Sequence, residues 1–323
     1  MDRSRRRLLR LVAGAAAAFS LPASAQAYPA RPVRLIVPFA PGGPADVVAR
    51  PIGQWLSDRL GRPFVVENRP GAGGNIGTEA VVRAAADGYT LLVVTTPNTI
   101  NATIHDKLNF DIVRDIAGVA GIARVPNVMV VHRSVPATTV PEFIAYAKSN
   151  PGKLSGALGG IGTPGHVASE LFKMATGVDF VLVPYRGGGP ALADLLGGQV
   201  QVYFGPAPVT IEAIRTGKLR ALAVTTAARS ELLPDIPAMA EFLPGYEAST
   251  FFGIGAPTNT PTVIVDKLNR EVNAALADRD MKSRIAGLGG TVLSGSPADF
   301  SRLIAEETQK WAKVVKFAGI KPD

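Results

Sequence analysis

The sequence predicts an α/β fold of two domains, and three observations support this prediction. Short apolar runs alternate with stretches in which apolar residues recur at helical intervals, which is typical of β-α-β units with parallel strands. Loops rich in Gly, Pro, Thr and Asn separate these segments, and the chain contains 34 Gly and 26 Pro. The length of 323 residues suits two domains of ordinary size.

The first half of the mature chain alternates strands and helices. Apolar runs predict strands at 33–37, 64–66 and 90–94. A helix is expected between the first two strands, with Gly61 at its end, because apolar residues between 47 and 60 fall at helical intervals. A shorter helix, ending near residue 86, is expected between the second and third strands.

The second half repeats the same design. Thr139 and Glu142 have the spacing of a capping box, which predicts a helix running to Lys148. The further strands are predicted at 154–158, 180–183, 200–204 and 219–224, and the further helices at 167–174, 191–196, 261–277 and 297–317.

The composition excludes several classes of function. The chain has no Cys, which removes disulfides, thiolate metal sites, cysteine nucleophiles and lipid attachment, and it has only three His. We therefore expect no metal and no cofactor. Half of the formal net charge of +8 comes from residues 1–27, which hold five Arg and one Asp, and the remaining basic residues are scattered. A nucleic-acid partner is disfavoured because such surfaces normally need a basic stripe.

The N-terminus has the pattern of an export signal. Basic residues at 3–10 precede an apolar run at 11–21, which is too short to cross a bilayer, and Ala25-Gln26-Ala27 matches a signal-peptidase site. Residues 1–27 are predicted to be a signal peptide that is cleaved near Ala27, so that the mature protein lies in the periplasm. The arginine-rich start fits both the general secretory and the twin-arginine route.

Five loops share a position between an apolar strand and a helix, at 38–43, 68–75, 95–98, 159–166 and 184–190. Ligands of open α/β sheets bind at the carboxyl ends of strands, and helix N-termini favour anions. A single loop of this kind is more simply a tight turn, but five together indicate a shared anion-binding cleft. Asn75, Thr96 and Asn98 are candidate ligand residues in the second and third loops.

Motifs of known enzymes are weak or missing. Residues 160–165 match the dinucleotide pattern G-x-G-x-x-G, but Asp179 precedes the following apolar run instead of ending it, and we interpret the match as coincidental. The Ser-nucleophile, P-loop and zinc-protease motifs are absent. His166 stands at a helix start, where it could cap the helix or contact a ligand. Asp46 is expected to stabilise the first turn of its helix.

Three segments resemble the Bug-type receptors, the extracytoplasmic solute-binding proteins of tripartite tricarboxylate transporters. They are VPFAPGGPAD at 37–46, ENRPGAGGNIG at 67–77 and PYRGGGPA at 184–191. The resemblance implies a two-lobed periplasmic binding fold (type II, Venus-flytrap) with a mostly parallel sheet in each lobe. It places 28–128 with 253–323 in one lobe and 129–252 in the other.

The resemblance also implies a function and a site. The protein would close on a small carboxylated solute and deliver it to membrane permease subunits, and a monomer is expected. The positions that match the ligand loops of the family are Phe39, Ala40, Gly42, Gly43 and Asp46 in one lobe and Gly162, Thr163, His166, Gly187 and Gly188 in the other. The chain departs from many relatives at Gly205, where they have Asp, and at Phe251-Phe252, so an amino-acid ligand is disfavoured.

Two other functions remain open at this point. A periplasmic enzyme on an acidic substrate could use His166 or Asp46 as acid or base, and it would turn its ligand over. A binding protein of the same fold could serve a sensor kinase instead of a permease, and no sequence pattern separates that partner from a permease.

Overall fold

The computed structural model describes residues 28–105 and 107–322, so the predicted signal peptide lies outside the described residues. The strands are β1 Val33–Val37, β2 Phe64–Asn68, β3 Thr90–Thr95, β4 Ile116–Val125, β5 Asn127–His132, β6 Ser155–Leu158, β7 Val181–Pro184, β8 Val202–Pro206, β9 Leu219–Val224, β10 Thr250–Pro257 and β11 Thr291–Val292. The α-helices are α1 Pro44–Leu60, α2 Asn75–Val82, α3 Thr96–Ile104, α4 Ile112–Asp115, α5 Val140–Ser149, α6 Pro164–Thr176, α7 Gly188–Leu196, α8 Ala207–Arg215, α9 Thr262–Ala277, α10 Arg279–Gly287 and α11 Pro297–Ala318.

Two mixed sheets form the centres of two lobes. The first has the order β11-β4-β10-β3-β1-β2, and the second has the order β7-β6-β8-β5-β9. The predicted α/β architecture is confirmed, but the sheets are less parallel than expected. Strand β1 runs parallel to β2 and β3, and β6 runs parallel to β7 and β8, whereas β10, β4, β11, β5 and β9 join by antiparallel pairing.

The antiparallel strands arise where the chain passes between the sheets. Strand β4 ends at Val125 in the first sheet and β5 begins at Asn127 in the second, with only Pro126 between them. The chain returns between β9 and β10, through residues 225–249. Both strands that receive the chain after a crossing, β5 and β10, pair antiparallel with both of their neighbours. The lobe boundaries expected from the sequence stay a prediction.

Helices cover both faces of each sheet. In the first lobe, α1 and α9 bury Ile52 and Leu268 on one face of the sheet, and Phe300 of α11 packs on the other. In the second lobe, α5 and α6 bury Phe143 and Phe172 on one face, and α7 and α8 cover the opposite one. This covering fits the near-continuous apolar sequence of the central strands.

Two helices contribute to both lobes. Phe300 and Ile304, in the first half of α11, belong to the core of the first sheet. Trp311 and Val314, two to three turns later, are fully buried in the core of the second. Helix α3 follows β3 of the first sheet, yet its Ile100 packs in that second core. These two helices therefore connect the lobes by packing, in addition to the two chain crossings.

Candidate functional site

A cavity of about 510 Å³ lies where the loops of the two lobes face each other. Its lining comes from both sheets and from the starts of several helices, and it consists of Phe39, Gly42, Pro44, Ala45, Val47, Thr95, Pro97, Val125, Pro126, Asn127, Gly159, Thr163, Pro164, Gly165, Gly188, Tyr203, Phe204, Pro206, Pro208, Val209, Thr250, Phe252 and Leu288. The volume suits a small organic molecule.

Five helices of the described chain begin at the wall of this cavity. They are α1, α3, α6, α7 and α8, whose first turns or capping residues contribute to the lining. The amides of a first turn have no carbonyl partner within their helix, and the aligned peptide dipoles leave a partial positive charge there. The helix starts therefore favour an anion in the cavity, although no basic side chain of the described residues lines it.

Proline occupies the first or second position of four of these helices. Pro44, Pro97, Pro164 and Pro208 all line the cavity. Proline fits the start of a helix because its fixed φ is helical and the N–H it lacks would have no partner. Each ring therefore replaces an unpaired donor by apolar surface, and the amides of neighbouring residues remain for a ligand.

No Asp, Glu, Lys, Arg or His is among the described residues that line the cavity. Its polar side chains are those of Thr95, Asn127, Thr163, Tyr203 and Thr250, and most of the remaining surface is proline, valine, leucine and phenylalanine. An anion here would be neutralised by helix dipoles and backbone amides. The body of the ligand would contact apolar surface.

Asp46 lies just behind the wall of the cavity and holds the first loop. Its carboxylate accepts hydrogen bonds from the Gly42 amide at 2.9 Å, from Arg50 Nε at 2.8 Å and from Asn68 Nδ2 at 2.9 Å. Burial alone would raise the pKa of Asp46, but these three donors, with the charge of Arg50, hold it below its ordinary value. The carboxylate is thus committed to protein donors and positions Gly42.

His166 and Thr163 organise the corresponding loop of the second lobe. The Thr163 hydroxyl donates to the Gly160 carbonyl at 2.8 Å and caps helix α6 by accepting from the His166 amide. The Gly162 amide donates to His166 Nδ1 at 3.1 Å. His166 is buried and does not line the cavity. Of the two alternatives from the sequence, capping of the helix start is therefore the one that its hydrogen bond supports.

The polar candidates from the second and third loops bond to other protein groups. The side-chain oxygen of Asn98 accepts a hydrogen bond from the backbone N–H of Thr95 at 2.7 Å, which caps the start of α3. Its Nδ2 donates to the Thr78 hydroxyl at 2.9 Å. The Thr96 hydroxyl accepts from the Phe251 amide. The segment expected to be a loop at 95–98 is therefore the start of a helix, because Thr95 and Asn98 cap it reciprocally.

The structure brings some of the predicted site residues to the cavity and places others behind it. Phe39, Gly42, Thr163 and Gly188 line the cavity. The nine that do not line it are Ala40, Gly43, Asp46, Asn75, Thr96, Asn98, Gly162, His166 and Gly187. Asn75 is buried and accepts from Asn101 Nδ2 at 3.1 Å, away from the lining. The ligand contacts of all thirteen stay a prediction.

Several lining residues have no counterpart in the sequence prediction. Asn127 stands at the crossing between the lobes, and Tyr203 lies on the central strand of the second sheet. Phe252 is one of the positions at which the chain departs from its relatives, and Pro206 directly follows another, Gly205. A tyrosine inside an otherwise apolar strand is the one signal in the sequence that could have indicated Tyr203.

Local backbone conformation explains the first two glycines of the G-x-G-x-x-G match. Gly160 and Gly162 have φ of 137° and 69°, a region that glycine adopts without strain. Asp179 is exposed and lies 3.3 Å from Lys173 Nζ, on the surface of the second lobe. Within 28–105 and 107–322, no group of three His, Asp or Glu is arranged to hold a metal.

Comparisons with known proteins agree with this architecture. Residues 48–320 match the family described as "Tripartite tricarboxylate transporter family receptor". The protein BugT of Bordetella pertussis is 40% identical over 310 residues, which is 95% of each chain. A structure of an R. palustris protein with adipate is 40% identical, covers 92% of this chain and 100% of its own, and has a TM-score of 0.77. MatC from Rhodopseudomonas palustris with bound malate is 34% identical with a TM-score of 0.74, over 89% of this chain and 100% of its own. The chain therefore belongs to the tripartite tricarboxylate transporter receptor family and is a two-lobed solute-binding receptor.

Proposed function

We propose that this receptor encloses a small organic carboxylate in the cavity between its lobes. The observation that supports the proposal is the convergence of five helix N-termini on a cavity to which no described residue contributes a charged side chain. Two relatives of the same family have structures with adipate and with malate, both of which are dicarboxylates. Their ligands fit a site in which backbone amides supply the positive potential.

The expected interaction free energies are sufficient for micromolar binding of a carboxylate. A carboxylate at a partly buried helix N-terminus gains up to ~2 kcal/mol, and each hydrogen bond to a charged group contributes roughly 1.5–3 kcal/mol. Two helix ends and three or four such bonds, less the cost of closing the lobes, reach the roughly −8 kcal/mol of a micromolar complex. Neither a metal nor a covalent bond is needed.

Membership of the family supports a proposal for where the receptor works and what it serves. We propose that residues 1–27 direct export, that the receptor works in the periplasm as a monomer, and that it delivers its solute to the membrane permease of a tripartite transporter. Within the described residues, no helix is long and apolar enough to cross a membrane. The lobes would comprise 28–128 with 253–323 and 129–252, with the ligand contacts in the loops of both.

Catalysis is the less favoured function. The two groups that could act as acid or base, Asp46 and His166, accept hydrogen bonds from backbone amides of their own loops and do not line the cavity. A receptor should return its ligand unchanged, whereas an enzyme would accumulate a product. Chromatography of the ligand after prolonged incubation with the protein separates these two outcomes.

Calorimetry with two ligands that share a carbon chain and differ in charge tests the proposal. We expect adipate or malate to bind saturably, and dimethyl adipate, which has the same carbon chain without charge, to bind at least tenfold more weakly because it gains little from helix dipoles. Absence of saturable binding by any di-, tri- or monocarboxylate, or equal binding of the diester, would contradict the proposal.

A further inference from the structure

Tyr203 brings an unused hydrogen-bonding group to the cavity. Its side chain is 3% exposed and lines the cavity, and its hydroxyl has no hydrogen-bond partner in the part of the chain that the structure describes. Burial raises the pKa of Tyr203 to about 12, so the phenol is neutral at physiological pH. Because this hydroxyl lines the cavity without a partner among the described residues, it is available to bond a ligand or a water molecule there.

The hydroxyl lies between two ligand loops of the second lobe. A Cβ atom placed on Gly159, which follows β6, would lie 3.1 Å from Tyr203 Oη. A Cβ atom placed on Gly188, the first residue of α7, would lie 3.2 Å from the same oxygen. The space that these glycines leave open is therefore occupied by the hydroxyl, beside the free amides at the start of α7.

Gly205 makes room for the ring. It lies two residues after Tyr203 on β8, so both positions face the same side of the sheet. A Cβ atom at Gly205 would lie 2.7 Å from Cδ1 of Tyr203 and 2.7 Å from Cγ2 of Thr210, which is closer than carbon atoms pack. The ring of Tyr203 thus occupies the volume that any side chain at 205 would take. We call these two residues the Tyr203–Gly205 pair.

The pair determines the charge that this wall of the cavity presents. With Gly205 beneath the ring, the wall offers an aromatic face and one neutral hydroxyl. None of the described residues that line the cavity has a carboxylate to receive a cation. Asp46, the nearest acid to the first loop, is already bonded to Arg50 and two other donors. Helix N-termini further disfavour a positive group on the ligand.

We propose that Tyr203 determines specificity by donating a hydrogen bond to an oxygen of the bound carboxylate, and that the Tyr203–Gly205 pair selects carboxylates with an uncharged, mainly apolar body over those that carry an ammonium group. This inference rests on the proposed function and names the class of ligand for that same site. Alkyl and aromatic acids fit it, and amino acids do not.

The first experiment removes the hydroxyl alone. Adipate, phenylacetate, malate and 2-aminoadipate are titrated into the wild-type protein by calorimetry. Whichever of adipate and phenylacetate binds more tightly is then the probe for the variants. Tyr203→Phe should weaken its binding roughly tenfold or more, as for the loss of a hydrogen bond to a charged group. Tyr185→Phe is the matched control, because its hydroxyl bonds Asp194 at 2.7 Å outside the cavity, and it should leave the affinity unchanged.

The second experiment adds a negative charge to this wall of the cavity. Wild-type protein should bind adipate roughly tenfold or more tightly than 2-aminoadipate, which differs by one ammonium group. The double variant Tyr203→Leu/Gly205→Asp removes the ring that would clash with a side chain at 205, and it should narrow or invert that ratio. Gly205→Asp alone should lower the melting temperature, since the ring remains in place.

The outcomes separate this inference from the function on which it rests. If no carboxylate binds, the proposed function fails and the inference fails with it. If wild-type protein binds carboxylates but prefers malate or 2-aminoadipate, or if Tyr203→Phe binds the chosen probe as tightly as wild type, the inference is overturned and the receptor function stands. Weaker binding by Tyr203→Phe together with rejection of 2-aminoadipate supports both.

Discussion

Gly188 and Gly189 are neighbours at the start of α7 that differ in what surrounds them. A Cβ atom at Gly188 would meet Tyr203 Oη at 3.2 Å and Val209 at 3.4 Å inside the cavity, whereas nothing lies within 4 Å of one at Gly189. Neither glycine has a positive φ. Gly188→Val should therefore abolish carboxylate binding, and Gly189→Val should retain it, with similar melting temperatures. Calorimetry on both variants checks this prediction.

Two further positions complete that comparison. Gly42 also lines the cavity, but its φ of 76° strains any side chain, so a substitution there would confuse loss of stability with loss of binding. Arg186 is exposed, and Arg186→Ala should weaken binding only modestly, because an exposed ion pair contributes ~0–1 kcal/mol. Loss of all binding in Arg186→Ala, with normal binding in Gly188→Val, would contradict recognition by backbone amides.

Asp46→Asn should destabilise the protein at neutral pH, because the buried carboxylate accepts three hydrogen bonds, one of them from Arg50. The cost is about 1–3 kcal/mol. Because the folded-state pKa of Asp46 is lowered, its contribution is fully present above the unfolded value of about 3.9 and is lost as the pH falls through the folded value. Denaturant unfolding at several pH values should show the wild-type advantage above about pH 5 and its decline below about pH 4. A pH-independent difference would contradict this account.

The sequence predicts which loops reach the cavity better than it predicts which side chains line it. The glycine-rich segments around Gly42 and Gly188 do reach the cavity, because apolar strands and helix starts place them at the strand ends. Polar residues such as Asp46 and Asn98 were harder to interpret, since the same side chain can cap a helix or contact a ligand. Tyr203 is not among the predicted site residues, because its place in the cavity beside Gly159 and Gly188 is visible only in the folded structure.

At the scale of elements, the sequence predicts the strands and helices with a regular apolar pattern well. It does not predict the strands beside the crossings between the lobes. Strand β1 and the capped start of α5 match their predictions. Strands β4 and β10 were not predicted, and they are the long antiparallel pair of the first sheet beside the crossings. The sequence predicts a loop at 95–98, where the first turn of α3 lies, because Thr, Pro and Asn are typical of turns, although the same residues begin helices.

Helix α11 gives an element-scale prediction. Ile304 of this helix is buried in the core of the first sheet, and Trp311, two turns later, is fully buried in the core of the second. Trp311 therefore packs the end of the helix against the second lobe. Trp311→Ala should lower the free energy of unfolding by about 3–5 kcal/mol. Phe317→Ala, at a position of the same helix that is 57% exposed, should change it by less than about 0.5 kcal/mol. Equal effects in chemical denaturation would contradict the packing described.

The whole molecule should close when it binds. Its cavity takes its lining from both lobes, so a ligand that contacts both walls favours the closed arrangement. Because α3 and α11 pack across the lobes, we expect the movement to be a rotation about that side. Small-angle scattering should give a smaller radius of gyration with saturating ligand. An unchanged radius would instead indicate a preformed pocket.

A crystal structure of the protein with a bound dicarboxylate such as adipate tests the central claim most directly. One carboxylate should lie within about 3 Å of first-turn amides of α1, α6 or α7, with no Arg or Lys side chain in contact and the carbon chain against Phe252, Val209 and the helix-start prolines. A carboxylate paired with an arginine, or a ligand bound outside the cavity between the lobes, would contradict the claim that backbone amides and helix dipoles recognise the solute.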